Sequence, residues 1–267
     1  MKPIRIAFIG WGAINSRVGA LLSARKTPMD IVGVATIDTV EARSAIPQGV
    51  LFLNSPSQLR ELQPDIVVEA AGRAAIDVWA PAALASGATL IVASTSAFCD
   101  TALLSDLMNT AEKYQSRILV APGAIGGVDA LAAAATLDLD QVLHQIVKPP
   151  RAWKGTTAER IVDLEALTER FIIFSGTARQ AADAYPQNAN ATVVTALAGV
   201  GLDKTRVELI ADPIVDKNGH RIVAIGAFGQ MEVSLRNNPL LTNPKSSELA
   251  ALSLVRLIEQ KTKYVIV

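Results

Sequence analysis

The 267 residues contain one cysteine, Cys99, and two histidines, His144 and His220. A lone cysteine excludes an internal disulfide, and two distant histidines supply neither the ligand number nor the short spacing of a metal site. An excess of one charge is also missing, since Lys+Arg and Asp+Glu both number 25. Without a net field, and without a basic cluster interleaved with aromatics, the chain offers no hold for nucleic acid or an anionic membrane surface. Apolar runs such as "DIVVEAAG" and "ALAAAATL" fall far short of the ~20 residues that cross a bilayer. The opening "MKPIRIAFIG" reads as a strand and lacks the longer apolar segment and cleavage site of a signal peptide. The expectation is a cytoplasmic protein with neither nucleic-acid nor membrane partners.

Half of the residues are hydrophobic and 19% are charged, which suits one large or two modest ordered domains. Up to about residue 121, short β-rich runs alternate with longer Ala/Leu-rich stretches, the pattern of βα units around a parallel sheet. Strands are expected at Ile4–Ile9, Ile31–Ile37, Asp65–Ala70, Thr89–Ala93 and Arg117–Ala121, with helices at Ala13–Arg25, Ala74–Ala85 and Asp100–Gln115. The two runs "DIVVEAAG" and "TLIVAST" are apolar through their centres, as central strands covered on both faces require. The fold class expected is therefore α/β, a Rossmann-type doubly wound parallel sheet followed by a second α+β domain with a mixed sheet. In that second part a helix is expected near Val128–Leu137, then strands in "VLHQIVKPP", "FIIFSGT", "TRVELIA", "HRIVAIG" and "QMEVSLR". The tail "NPKSSELAALSLVRLIEQ" reads as serines leading into a helix, and "KYVIV" as a final strand. The domains expected are 1–121 for dinucleotide binding, with 243–267 packing back on it, and 122–242 for catalysis and dimerisation.

The segment "IAFIGWGAINSRVGALL" sets Gly10 and Gly12 between a strand and a helix, the context of a dinucleotide fingerprint. Gly10 makes the tight turn and Gly12 admits the pyrophosphate. The first helical N–H groups, at Ala13 and Ile14, then face the phosphate with the helix dipole behind them. Asn15 stands where the fingerprint has its last glycine, which bears on helix packing and cofactor affinity. In "VGVATIDTVEAR", Asp38 is the candidate for the adenosine ribose, 28 positions after Gly10 and so later than the usual ~20. Arg43 nearby suits a 2′-phosphate, so both NAD and NADP stay open. Ser94 and Ser96 lack an activating partner and are expected to line the cofactor side of the sheet.

Four stretches are more specific. "ASTSAFCD" (Ala93–Asp100), "APGAIGGVDAL" (Ala121–Leu131), "PQNANATVVTALAG…ADPIVDKNGHRI" (Pro186–Ile222) and "NPKSS" (Asn243–Ser247) together resemble the L-aspartate dehydrogenase family, with Ser246 where its "NPKTS" element has threonine. The resemblance implies NAD(P)-dependent oxidation of L-aspartate to iminoaspartate, which hydrolyses to oxaloacetate and ammonia or feeds NAD synthesis. It also implies a homodimer, a catalytic role for His220, and cofactor contacts at Ala124 and Asn190.

Imidazole suits such chemistry, because one group titrating near neutrality can serve both the amine and the attacking water. His220 is expected on a loop, with Asp212 considered as its orienting partner, whereas His144 is expected to pack within a strand. The substrate, a dicarboxylic amino acid, needs cations or N–H donors. Lys148, Lys245 and the Ser246–Ser247 helix start are candidates, and Asn188 is either a substrate ligand or a helix cap. Two other readings remain: a same-fold oxidoreductase acting on another amino or hydroxy acid, and a nicotinamide-binding sensor without turnover.

Overall fold

The computed structural model describes residues 2–266. The chain forms two compact units, Met1–Gly123 with Leu240–Ser246 and Ala250–Val267, and Ala124–Pro239 with Ser247–Leu249.

The first unit runs β1 (Ile4–Ile9), α1 (Ala13–Ala24), β2 (Met29–Ala35), α2 (Val40–Ser44), β3 (Leu51–Phe52), α3 (Gln58–Leu62), β4 (Ile66–Glu69), α4 (Arg73–Ala85), β5 (Thr89–Val92), α5 (Thr101–Lys113) and β6 (Arg117–Val120). Its six strands lie in the order β3-β2-β1-β4-β5-β6, and every pairing is parallel. This is a doubly wound sheet whose order reverses between β1 and β4, the position where ligands bind at the carboxyl ends of the strands. All four residues of β4, and all four of β5, are buried, which is why these runs carry no polar alternation. Asp100 caps α5 by accepting from the Ala102 and Leu103 N–H groups.

In the second unit, α6 (Val128–Ala134), β7 (Leu139–Lys148), β8 (Phe171–Thr177), α7 (Ala178–Ala184), α8 (Ala189–Ala198), β9 (Arg206–Ala211), β10 (Asn218–Gly226) and β11 (Gly229–Asn237) follow. The sheet order is β11-β10-β7-β9-β8. β7 and β9 are parallel and the other neighbours antiparallel, so the sheet is mixed. The chain ends with β12 (Pro239–Leu240), β13 (Asn243–Ser247) and α9 (Glu248–Glu259).

Ala251, Leu254, Val255, Leu257 and Ile258 of α9 share one core with Ile4, Ile6 and Phe8 of β1 and Val18 and Leu22 of α1. Glu259 fastens the end of α9 to the end of α1. Its carboxylate accepts from Arg25 Nε and Nη2 at 2.6 and 2.9 Å and from Thr27 Oγ1 at 2.9 Å, and lies 2.8 Å from Lys263 Nζ.

Several expected boundaries move. β2 ends at Ala35, not Ile37, because its partner β1 ends at Ile9 and the Gly10 N–H closes the ladder on the Ala35 carbonyl. The helix expected to reach Leu137 stops at Ala134. "NPKSS" is strand β13 paired with β12, so Ser246 and Ser247 precede the helix in extended backbone. The first turn of α9 carries Glu248 instead, which removes the anion site expected there. "KYVIV" forms no strand over 263–266, where Tyr264 and Val265 are exposed. Val267 lies outside the described residues. The short elements between residues 40 and 62 have no long periodic pattern and went unread in the sequence.

Candidate active site

In the first unit the site is built on the glycine turn. Gly10 has φ +85°, and a β-carbon there would come within 2.8 Å of Ala71 Cα, so only glycine fits both the turn and the neighbouring chain. Around Gly12 a β-carbon would meet nothing within 4 Å. Gly12 is also the N-cap of α1 and supplies no side-chain cap, leaving the Ala13 and Ile14 N–H groups to the open space in front of the helix. A bare backbone with unclaimed donors at the switch point fits a dinucleotide phosphate.

Asn15 does more than replace a glycine. It is fully buried, and Nδ2 donates to the Ile9 carbonyl at 3.2 Å and the Gly10 carbonyl at 2.8 Å. The amide thus ties the helix to the turn it follows, and its Oδ1 is sealed from solvent with no partner among the described residues. The departure from the fingerprint therefore braces the turn and leaves one acceptor unmet. Asp38 lies past the end of β2, exposed, and binds Arg43 Nε at 2.6 Å. The Arg43 guanidinium is 4.3 Å from the centre of the Phe52 ring.

A carboxylate missed in the sequence organises the next strand end. Glu69, 1% exposed, accepts through Oε1 from the Ala71 and Gly72 N–H groups at 2.7 and 3.0 Å and from Ser94 Oγ at 2.7 Å. Its Oε2 accepts from the Ser94 N–H at 3.1 Å. Burial pushes this carboxyl up, against the lowering effect of the Ser94 and backbone hydrogen bonds. Ser94 is thus turned inward to Glu69. The signal was present in "DIVVEAAG", an acid closing an otherwise apolar strand.

The second unit gathers a different set. Gln145, Val147 and Arg221 occupy one face of the β7–β10 pair. His144, Ile146 and Lys148 alternate onto the other, with His220 opposite Ile146 and Ile222 opposite His144. His144 and His220 are diagonal neighbours, and His144 Nε2 lies 3.0 Å from His220 Nδ1. On its far side His144 Nδ1 lies 2.9 Å from Thr195 Oγ1 of α8. His220 is within β10 and buried, not on a loop, because "NGHRIVAIG" pairs along its length with both neighbours. Asp212 is not its partner. That carboxylate accepts from the Ile214 N–H at 2.9 Å, the local turn its spacing favours.

Lys148 ends β7, where Pro149 follows. Its Nζ donates to Asn188 Oδ1 at 2.6 Å and sits 5.0 Å from the Trp153 ring centre. Trp153 is itself fixed by a 3.1 Å bond from Nε1 to the Ile210 carbonyl. Asn188 occupies the N-cap position of α8 without making a cap bond; its amide oxygen goes to the lysine. Burial lowers Lys148 to about 8. Burial, then the Lys148 charge, lowers His220 to about 4. Burial, then His220, holds His144 well below the ordinary imidazole range.

Of the remaining residues, Ala124 accepts from Asn237 Nδ2 at 2.7 Å through its carbonyl, Asn190 is exposed in the first turn of α8, and Lys245 is exposed on β13 in the first unit. Sequence reasoning missed the pairing of His144 with His220 and the part of Thr195. The alternation in "QVLHQIV" put His144 on the buried parity, but nothing local names its partner.

Residues 10–121 match the family described as "Homoserine dehydrogenase, NAD binding domain", and residues 129–261 match "Aspartate dehydrogenase, C-terminal". The fold is similar to that of the crystallised aspartate dehydrogenase from Thermotoga maritima, with a TM-score of 0.79, 24% identity and 99% of each chain covered. A doubly wound unit with an open glycine turn, joined to a mixed-sheet unit bearing a buried imidazole, defines a nicotinamide-dinucleotide-dependent oxidoreductase. The L-aspartate dehydrogenases of Brucella anthropi and Cupriavidus taiwanensis are 47% and 41% identical to the chain over 256 residues, covering 96% of both sequences in each case. The chain belongs to the L-aspartate dehydrogenase family.

Proposed function

We propose that the protein is an NAD(P)-dependent L-aspartate dehydrogenase, oxidising the CH–NH2 group of L-aspartate to iminoaspartate, which water converts to oxaloacetate and ammonia or which enters NAD synthesis. The single observation that carries the reading beyond kinship is a buried imidazole, His220, on the same sheet face as Lys148, whose ammonium is held by Asn188 at 2.6 Å. A nicotinamide-binding sensor needs neither.

Gly10, Gly12 and the Ala13 and Ile14 N–H groups are assigned to the cofactor phosphates, and Asp38 to the adenosine ribose. Ala124 and Asn190 are assigned to the nicotinamide end. When bound, the nicotinamide would supply the acceptor for the hydride of the substrate Cα. His220 takes the proton from the substrate amine before that transfer, releases it to solvent, and then takes one from the water that attacks the imine carbon, so one base serves both stages. Lys148, oriented by Asn188 and Trp153, supplies the charge for a substrate carboxylate. Lys245 is the second candidate cation. Residues 1–121 with 243–267 are assigned to dinucleotide binding and 122–242 to catalysis and dimerisation. The reading includes a homodimer in the cytoplasm with neither nucleic-acid nor membrane partners. No helix among the described residues is long and apolar enough to cross a membrane.

The experiment is the growth of reduced-nicotinamide absorbance with L-aspartate and either NAD or NADP, beside D-aspartate, L-glutamate and L-malate. Reduction with L-aspartate alone supports the reading, and the better of the two cofactors identifies whether Asp38 or Arg43 dominates. Cofactor binding without reduction by any of the four acids overturns it in favour of another substrate or a sensor.

A further inference from the structure

The hydrogen bonds around the two histidines bear on where their protons sit. Thr195 Oγ1 donates to the Ala191 carbonyl one turn back in α8, at 3.2 Å. A carbonyl only accepts, so this bond takes the single hydroxyl proton. The 2.9 Å contact between Thr195 Oγ1 and His144 Nδ1 must then be filled by a proton on Nδ1. His144 is fully buried and held neutral, and a neutral imidazole protonated at Nδ1 has a bare Nε2. That Nε2 lies 3.0 Å from His220 Nδ1, which therefore carries the proton of this bond. The reverse polarity would turn the Thr195 hydroxyl toward His144 and set its oxygen lone pairs against the Ala191 carbonyl oxygen 3.2 Å away in a buried site.

We propose that His144 and Thr195 are positioning residues that lock His220 in the Nδ1–H tautomer, making Nε2 the atom that takes the substrate proton. Nε2 of His220 has no partner among the described residues and is not among the sealed, partnerless polar atoms, so it is the ring nitrogen left for a substrate proton. Once Nε2 is protonated, the Nδ1–H bond to His144 becomes charge-assisted and strengthens. The proton remains on His220, because burial bars His144 from accepting it. The relay orients the base and does not conduct. The groups facing His220 are His144 and Lys148 from β7, with Ile146 between them, Thr195 by way of His144 from α8, and Leu235 from β11. Lys148 is the charged group among the described residues that acts on His220.

This inference rests on His220 being the base of the proposed reaction, and the test separates the two. Nitrogen-15 NMR of the full chain labelled at histidine reads the tautomer directly. The result expected at neutral pH is a protonated Nδ1 and a bare Nε2 for His220; a protonated Nε2 with a bare Nδ1 overturns the proposal whatever the activity. In Thr195→Val, His144 loses its acceptor at Nδ1. The expected results are a shift of His220 toward the Nε2–H form, a kcat at least about tenfold lower and a KM for NAD(P) within about twofold. Thr195→Ser should restore both spectrum and kcat. Unchanged spectra and pH profile in Thr195→Val overturn the relay. Should that variant fail to fold, the wild-type spectrum still decides. Full turnover in His220→Ala removes the base assignment, while the tautomer spectrum stands by itself.

Discussion

Lys148 and Asn188 are joined by a 2.6 Å hydrogen bond in which the amide oxygen accepts one ammonium proton. The bond holds the lysine over Trp153 and leaves two protons for an anion. With Lys148 lowered to about 8 and His220 to about 4, kcat/KM for L-aspartate should hold between these values. It should fall below pH 4 as the base is protonated and above pH 8 as the ammonium is lost. In Lys148→Gln the alkaline limb should vanish, the acid limb should move up because the neighbouring charge is gone, and KM for L-aspartate should rise about tenfold or more. An alkaline limb that survives would assign it to another group.

His220→Ala should bind NAD(P) as the wild type does and lose about two to four orders of magnitude in kcat. Fluorescence titration of the cofactor and steady-state kinetics on the same preparation separate the two effects.

Gly10 and Gly12 should fail in different ways. Gly10→Ala meets the Ala71 backbone at positive φ and should lower stability by about 2–3 kcal/mol. Gly12→Ala meets nothing in the protein itself, so its melting temperature should stay near that of the wild type while NAD(P) affinity drops at least about tenfold. Equal affinity in Gly12→Ala would remove the phosphate from that position. Calorimetry with and without cofactor measures both.

Glu69→Gln exchanges an acceptor for a donor against the Ser94 N–H or against the Ala71–Gly72 turn, whichever way the amide faces. A buried bond lost in this way costs about 1–3 kcal/mol. Because the same turn abuts Gly10, KM for NAD(P) should rise more than KM for L-aspartate. Denaturant melts and the two KM values provide the check.

Glu259 is lowered to about 2 by its hydrogen bond to Arg25, against burial and with the help of Lys263 and Thr27. A carboxylate lowered in the folded state stabilises above its unfolded value near 4.5, and this contribution should be lost as pH falls toward 2. Glu259→Gln should flatten that part of the stability curve and free the end of α9, a change visible as faster amide exchange in 248–259.

The local pattern determined a good deal. "IAFIG" next to "WGAIN" specified β1, the turn and α1, because an apolar run, two glycines and a helical stretch are features of neighbouring residues. The apolar centres of β4 and β5 likewise announced a doubly wound parallel sheet, and the motif stretches carried the family. Tertiary structure alone decided the chemistry of the pairs. His144 and His220 are 76 residues apart, Glu69 and Ser94 are 25 apart, and Arg25 and Glu259 are 234 apart. Periodicity states which face a side chain occupies, but register between strands is set by the packing of the whole sheet. A one-residue slip of β10 against β7 would carry His220 to the opposite face from His144, and no short stretch of sequence records that register.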